Sequence, residues 1–353
     1  MLFWQAHEGG LLAIEEWDEG ILTQARDNKI HYFPLPTRPS SSISRSSASA
    51  TPSPNDPSPL PPSWSMDVNA MAYCKMSILP LDGALRKEGL VAVPSLTKDE
   101  EIDVFHLPSQ ERVHRAIGKS LFPIGAKTGT LMALKIFLSP SESGELCIVS
   151  GYEDGRVALF RFTGSAKAAI TPPRPGTHQD EAEGWELVWD EKGHREALMS
   201  VALSPDKRSV WSVAADHFLC RYDLFRVDDP ESETVESRMV VLPTPAPGRS
   251  IVALRDDGKI FGVSGWDGEA RLYSVKTGEP LAVLSYHRMS LHALAFSPLK
   301  SLVNGPGQPS VRLDDDDSSS DEEEGTVRPR AWLATGGKDD RISLWEVYPS
   351  TRN

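Results

Sequence analysis

Short apolar runs, in which apolar and polar residues nearly alternate, recur along the chain between turn sequences. One unit starts at Leu291-His-Ala-Leu-Ala-Phe-Ser-Pro and resumes at Ala331-Trp-Leu-Ala-Thr-Gly-Gly-Lys-Asp-Asp-Arg-Ile-Ser-Leu-Trp. A similar unit covers residues 250–284, where Asp-Gly and Thr-Gly pairs separate the apolar runs. A period of two, bounded by Gly, Pro and Asp, is typical of short strands joined by tight turns. The pattern therefore predicts an all-β protein of antiparallel strands.

The same template recurs upstream, so that six repeats are visible. Five repeats carry an Asp in the turn before the third strand, and three repeats begin with a His. The remaining copy, Val68–Gly118, has the apolar runs but is predicted to lack the turn Asp. The repeated polar positions are Asp27, Asp154, Asp216, Asp267 and Asp339, together with the opening residues His7, His194 and His287.

This arrangement resembles the WD-repeat family of β-propellers, in which units of roughly 40–45 residues form four strands each. The resemblance implies a single β-propeller domain over residues 1–353. It also implies that the turn Asp and the opening His form a structural hydrogen-bond network inside or between blades. A buried polar pair must be satisfied, and it then fixes the register of the strands. We expect these eight residues to be structural rather than catalytic.

Longer phrases give a more specific resemblance, to the ASTRA-associated branch of the WD-repeat family and its animal relatives. They are Gly151-Tyr-Glu-Asp-Gly-Arg-Val, Gly265-Trp-Asp-Gly, Pro280-Leu-Ala-Val-Leu-Ser-Tyr-His and Lys338-Asp-Asp-Arg-Ile-Ser-Leu-Trp-Glu-Val-Tyr-Pro. The resemblance implies a non-enzymatic scaffold of the ASTRA complex, acting in chromatin remodelling. It further implies a role in the maturation of phosphatidylinositol-3-kinase-like kinases with the Tel/Tti co-chaperone.

The resemblance also suggests partners and a compartment. The expected partners are the Tel/Tti subunits, RuvB-like ATPases and the kinase-like clients, and the expected location is the nucleus, with the cytoplasm as a second compartment. A ubiquitin-ligase substrate adaptor, or another protein-interaction scaffold, is the alternative function.

Relatives begin with an additional repeat, which predicts a seven-bladed fold that lacks most of one blade here. Alternatively, Met1–Ala6 supplies the fourth strand of the last repeat and closes a six-bladed ring.

Composition narrows the range of functions. The 353 residues include 37 Lys and Arg against 50 Asp and Glu, which gives a net charge of −13. This acidic balance disfavours direct contact with nucleic-acid phosphates, because there is no basic excess to displace counterions. No run approaches the roughly 18 apolar residues that a membrane-crossing helix requires. The three cysteines, Cys74, Cys147 and Cys220, are too few and too scattered for a disulfide framework and fit a reducing compartment.

Three compositionally biased segments are predicted to be disordered insertions, at about 37–63, 165–183 and 300–328. The last contains eight acidic residues among the eleven positions 314–324. Like charges in such a block repel one another and favour a solvated loop. The acidic loop is a candidate contact for basic histone tails. The serines inside it are candidate phosphorylation sites, namely Ser318, Ser319 and Ser320.

Catalytic and cofactor-binding motifs are missing from the sequence. It contains no P-loop, dinucleotide-binding glycine motif, nucleophile elbow or paired-cysteine zinc spacing. We therefore expect no cofactor, metal or catalytic residue. The competing hypothesis is an enzyme with a central-channel site, which would need converging acids or histidines from several blades. The polar residues that recur in this sequence are already explained by the repeat structure. The sequence therefore favours a scaffold over an enzyme.

Overall fold

The computed structural model describes residues 6–35, 61–83, 87–174, 180–225, 239–244, 247–299 and 331–347. Regular structure in these ranges consists of 23 strands, one five-residue α-helix and one 3-10 turn. The strands form six sheets in chain order, which we call blades 1 to 6. Five blades have four strands, and blade 6 has three strands within the described residues. The predicted fold class, an all-β propeller with six visible repeats, is confirmed.

The chain divides into two compact units, Met1–Val252 and Ala253–Asn353. Blades 1 to 4 belong to the first unit. Blade 1 contains β1 (Leu11–Trp17), β2 (Gly20–Ala25), β3 (Lys29–Pro34) and β4 (Trp64–Asp67). Blade 2 contains β5 (Ser77–Pro80), β6 (Gly89–Pro94), β7 (Ile102–Leu107) and β8 (Arg112–Ile117). Blade 3 contains β9 (Leu131–Leu138), β10 (Leu146–Tyr152), β11 (Arg156–Phe162) and β12 (Trp185–Lys192). Blade 4 contains β13 (Leu198–Leu203), β14 (Ser209–Ala214), β15 (Phe218–Asp223) and β16 (Met239–Pro243).

The boundary between the units lies inside the first strand of blade 5. Blade 5 contains β17 (Arg249–Leu254), β18 (Ile260–Gly265), β19 (Glu269–Ser274) and β20 (Pro280–Ser285). Blade 6 contains β21 (Leu291–Phe296), β22 (Ala331–Gly337) and β23 (Ile342–Val347). A fourth strand from Met1–Ala6 falls almost wholly outside the described residues and stays a prediction, as does an additional upstream repeat.

Burial on both faces distinguishes the second strand of a blade from its outer strands. Every residue of the second strands β6, β10, β14 and β18 is buried. A strand covered on both faces has no solvent side, and its sequence therefore shows no alternation. The first strand β1 and the fourth strand β20, in contrast, contain exposed positions.

The core of the first unit lies between successive blades. One cluster joins blades 1 and 2, a second joins blades 2 and 3, and a third joins blades 3 and 4. Blades 1 and 2 approach closely at Gly89, where an added Cβ would lie 2.7 Å from the Trp17 ring. That close approach requires glycine and leaves Trp17 only 2% exposed. Burial of large side chains on this scale supplies the main driving force for folding.

A short helix, α1 (Ala166–Ile170), lies in the connection between β11 and β12. The sequence pattern did not predict it. The Ser165 hydroxyl accepts a hydrogen bond from the backbone N–H of Ala168, which caps the helix. Ala169 is buried, and its carbonyl accepts a hydrogen bond of 2.9 Å from His114 Nε2. This part of segment 165–183 is therefore packed on blade 2.

Other predicted features fall on residues that the structure does not describe. Nearly all of segment 37–63 and the whole of segment 300–328 lie outside the described residues, and so do Ser318, Ser319 and Ser320.

Among the helices of the described ranges, none has the length and apolar character that crossing a bilayer requires.

Candidate functional site

The opening His and the turn Asp of blade 4 form a buried polar network. His194 Nδ1 lies 3.1 Å from Asp216 Oδ1, and His194 Nε2 lies 2.7 Å from the Ser212 hydroxyl. The side chains of His194 and Asp216 are 0% and 5% exposed. His194 precedes β13, Ser212 belongs to β14, and Asp216 lies in the turn before β15. One imidazole thus connects the start of the blade to its second strand and its central turn.

Blades 1 and 6 contain the same network. In blade 1, His7 Nδ1 lies 2.9 Å from Asp27 Oδ2, and His7 Nε2 lies 2.7 Å from the Thr23 hydroxyl. In blade 6, His287 Nδ1 lies 2.9 Å from Asp339 Oδ1, and His287 Nε2 lies 2.9 Å from Thr335 Oγ1. All three histidines stand four residues before the first strand of their blade. The hydroxyl-bearing residue comes from the second strand each time.

The backbone completes each network. The N–H of the residue after the His donates to the turn carboxylate, from Glu8 at 3.1 Å, Arg195 at 3.0 Å and Arg288 at 3.2 Å. A second N–H, two residues after the Asp, donates to the same carboxylate from Lys29 and Phe218. The carboxylate therefore holds two backbone segments and one imidazole in fixed positions.

The electrostatics of Asp216 follow from these contacts. Burial alone would raise the pKa of its carboxyl group, but hydrogen bonds from His194 and from the backbone N–H groups of Arg195 and Phe218 outweigh burial. The net effect lowers the pKa of Asp216 below its usual value, so the carboxylate stays ionised. At Asp339 the hydrogen bond with His287 is the leading cause of a lowered pKa.

Two turn aspartates have other partners. Asp154 accepts hydrogen bonds from the backbone N–H and the Nε of Arg156, each at 3.1 Å. Asp267 accepts from the backbone N–H of Glu269 at 3.2 Å and lies 2.8 Å from Arg271 Nη2. These two carboxylates organise their own turns.

Glycines bring these two turns against the start of the following blade. Gly155 has φ +87°, and an added Cβ would lie 2.4 Å from the carbonyl oxygen of His194. Gly268 has φ +83°, and its Cβ would lie 2.7 Å from the carbonyl oxygen of His287. Both the left-handed conformation and the close approach favour glycine. In each unit, a turn of one blade therefore touches the opening histidine of the next.

Sequence reasoning missed the corresponding pair of blade 2. Asp99 lies in the segment between β6 and β7, the position of a turn Asp, so the expectation that this blade lacks one was wrong. Its partner is an amide: Asn69 Nδ2 donates to Asp99 Oδ1 at 2.9 Å and to the Ser95 carbonyl at 3.0 Å. Asn69 is 8% exposed. The signal was present as an Asn that precedes the blade and an Asp between its strands.

Blade 6 extends the network to a tryptophan. The Thr335 and Ser343 hydroxyls lie 2.6 Å apart, and Trp345 Nε1 donates to Ser343 Oγ at 2.7 Å. A chain of hydrogen bonds thus runs from Asp339 through His287 to the third strand. Such connected networks are worth more than isolated bonds because each member polarises the next.

One group of side chains has the composition of a metal site. Ligand atoms of His7, Asp27 and His31 all lie within 4.8 Å of one another. The two imidazole rings are stacked, with centroids 4.3 Å apart and an interplanar angle of 21°. Parallel rings direct their lone pairs side by side, whereas a zinc ion requires converging ligands. Since Asp27 and Thr23 also engage the two ring nitrogens of His7, hydrogen bonding explains this cluster better than metal binding.

The cysteines are buried thiols. Cys74, Cys147 and Cys220 are all free and buried. Burial raises the pKa of Cys147 and of Cys220 to about 12. The thiolate is the nucleophilic form, so these side chains are poorly suited to nucleophilic chemistry at neutral pH.

Nearly the whole chain matches fungal proteins named ASTRA-associated protein 1. It is 27% identical over 393 aligned residues to the protein from Penicillium rubens, which covers 98% of this chain and 87% of the relative. It is 29% identical over 362 residues to the protein from Verticillium alfalfae, which covers 98% of this chain and 81% of the relative. The chain is therefore a homologue of these proteins, as the repeat phrases predicted.

An animal protein matches over a shorter span. The mouse protein named guanine nucleotide-binding protein subunit beta-like protein 1 is 25% identical over 285 residues. That alignment covers 81% of this chain and 67% of the mouse protein. No protein-family model matches the chain. The similarity thus extends over most of the repeats and is not confined to one local motif.

Proposed function

We propose that this chain is a WD-repeat scaffold of the ASTRA complex, without catalytic activity of its own. The observation that carries the proposal is the match over 98% of the chain to fungal ASTRA-associated proteins. In this role the protein contributes to chromatin remodelling. It also contributes to the maturation of phosphatidylinositol-3-kinase-like kinases with the Tel/Tti co-chaperone.

The geometry of the repeats supports a scaffold. The polar residues that recur between blades bind to one another: His7 to Asp27, His194 to Asp216 and His287 to Asp339. Side chains that fix strand register in this way stabilise a rigid body. On such a body the connecting loops are the variable elements, and they are where partners bind.

The proposed partners are the Tel/Tti subunits, RuvB-like ATPases and kinase-like clients. We place the protein in the nucleus, with the cytoplasm as a second compartment. The acidic run at 314–324 is proposed as an additional contact for basic histone tails, because its eight carboxylates complement Lys- and Arg-rich segments.

The assembly role is tested by affinity purification of the tagged full chain from its native cells, followed by mass spectrometry. We expect near-stoichiometric recovery of the Tel/Tti subunits and of kinase-like clients. The control is an unrelated tagged propeller of similar size, which should recover none of them. Folded protein that recovers none of these partners would overturn the proposal, and recovery of a cullin adaptor would favour the ubiquitin-ligase alternative.

The histone contact has its own test. Deleting residues 314–324 should abolish salt-dependent binding of purified histones in a pull-down. Deleting the eleven residues 40–50 of the Ser/Pro segment is the matched control and should leave binding unchanged. Equal binding by all three proteins would reject this contact while leaving the assembly role intact.

A further inference from the structure

A cavity of about 310 Å³ opens between the turns of blades 1 and 2. Its walls carry three carboxylates, from Asp27, Asp67 and Asp99, and none of its described lining residues is basic. Apolar side chains complete the wall, from Met71 and Leu96 among others. The cavity thus combines negative charge with apolar contact area in one concave site.

The apolar part of this site is unusually exposed. Met71 is 68% exposed and Leu96 is 55% exposed. Tyr73, two residues beyond Met71, is 54% exposed. Scattered single apolar residues on a surface need no explanation, but apolar side chains at the mouth of one charged cavity are typical of a binding surface.

The three carboxylates differ in how far they are free to accept a hydrogen bond from a ligand. Asp27 is occupied by His7 and by the backbone N–H groups of Glu8 and Lys29. Asp99, in contrast, is exposed. Asn69 Nδ2 donates its hydrogen bond to Oδ1 of this carboxylate. Its second oxygen can therefore accept a charged donor from outside.

The chain itself shows that cationic groups are accommodated on this surface. The ammonium group of Lys29 lies 2.9 Å from Asp67 Oδ1, on the cavity wall. The guanidinium carbon of Arg26 lies 4.4 Å from the centroid of the Tyr73 ring, which is a cation–π contact. A nearby lysine, Lys98, is directed instead to two glutamates outside the cavity, Glu101 and Glu181.

We propose that this cavity is a docking site for an exposed basic segment of a partner protein, in which an arginine or lysine is flanked by apolar residues. The cationic head pairs with Asp99, while the flanking side chains contact Met71 and Leu96. Charge complementarity of this kind gives specificity and faster association. The inference deepens the proposed scaffold function and rests on it for the nature of the occupant.

The test is fluorescence anisotropy on the purified full chain with a fluorescein-labelled peptide, Gly-Ser-Leu-Arg-Leu-Lys-Leu-Ser-Gly. We expect saturable binding with a Kd below about 100 μM, which weakens as salt is raised. A peptide in which Glu replaces Arg and Lys should not bind. Saturable binding of both peptides would show a purely apolar contact and overturn the proposal.

Two variants locate the site. Asp99→Asn keeps an acceptor for Asn69 but removes the charge, and Leu96→Ser removes exposed apolar surface without opening a core. Each should weaken binding about five- to tenfold, the loss expected for one charged hydrogen bond or one apolar contact.

The matched controls are Glu142→Gln, an exposed acid elsewhere in the first unit, and Ile124→Ser, an exposed apolar residue. Both should bind like the parent, and thermal unfolding verifies that all variants are folded. Equal affinities for all five proteins would refute the site. Because this assay uses no ASTRA subunit, that result would leave the assembly role to its own purification test.

Discussion

His194 and Asp216 form an imidazole–carboxylate pair at 3.1 Å, and neither side chain is more than 5% exposed. Together with Ser212, this pair links the start of blade 4 to its second strand and central turn. A buried polar group without its partner costs far more than a well-made hydrogen bond contributes. Removing one member of this group alone should therefore destabilise the blade, because its buried partners lose their hydrogen bonds.

Asp216→Ala should destabilise the protein by about 2–4 kcal/mol, because it leaves the buried His194 ring and the Arg195 N–H without their acceptor. Chemical unfolding followed by tryptophan fluorescence measures the loss. Asp267→Ala is the matched control, since Asp267 occupies the same turn position, lies 31% exposed and pairs with Arg271. That variant should lose less than about 1 kcal/mol. Equal losses would contradict a special role for the histidine pair.

Asn69→Ala should cost about 1–3 kcal/mol, because the buried Ser95 carbonyl and the Asp99 carboxylate lose their donor. Asn69→Asp should cost more at neutral pH, since it places a second carboxylate beside Asp99. Thermal unfolding at pH 7 and at pH 4 separates the two effects. If Asn69→Asp were as stable as the parent at pH 7, Asn69 would not be a hydrogen-bond donor to this turn.

Gly155→Ala should destabilise the first unit by about 2–4 kcal/mol. The substitution forces an L side chain into φ +87° and places its Cβ 2.4 Å from the His194 carbonyl oxygen. Gly144→Ala provides the control, because Gly144 also has a left-handed φ, +57°, but has open space around its Cβ. Its loss should be about 1 kcal/mol. Similar melting temperatures for the two variants would argue against the contact between the turn and His194.

Stability should depend on pH through His114. Burial lowers the pKa of His114 to about 4, although the hydrogen bond to the Ala169 carbonyl acts in the opposite direction. The unfolded state binds a proton near pH 6.5, so the contribution of the neutral ring is complete above that pH and is lost as pH falls toward 4. The loss is on the order of 3 kcal/mol between these limits.

Replacing the buried ring tests this assignment. His114→Gln should be less stable than the parent at pH 7 and should show a shallower decline between pH 6.5 and pH 4. The exposed His292→Gln is the control and should retain the parent's pH profile. A parental slope in His114→Gln would show that another group causes the acid sensitivity.

The repeat pattern predicted the blades well because every blade needs the same local chemistry. Second strands such as β10 read as apolar runs since both of their faces are covered. Three His–Asp pairs also share one spacing, with the His four residues before its first strand, as at His194. That regularity makes the template visible in one sequence.

Features that depend on tertiary context escaped prediction. Asn69 stands eight residues before β5 and is not a histidine, so the pair with Asp99 breaks the template in both spacing and residue type. Helix α1 has only five residues, too few for a periodic signal, and its packing includes the contact between His114 and Ala169. The charged cavity likewise brings together residues of two consecutive blades, such as Asp27 and Asp99, that are far apart in the sequence.

The central claim, a direct scaffold role in the ASTRA assembly, is tested most directly by mass photometry. The purified full chain is mixed with the purified Tel/Tti co-chaperone at nanomolar concentration. The account predicts a new species heavier than the co-chaperone by the mass of one chain, with unbound chain depleted accordingly. Two unchanged species, from a chain with an intact cooperative unfolding transition, would contradict it.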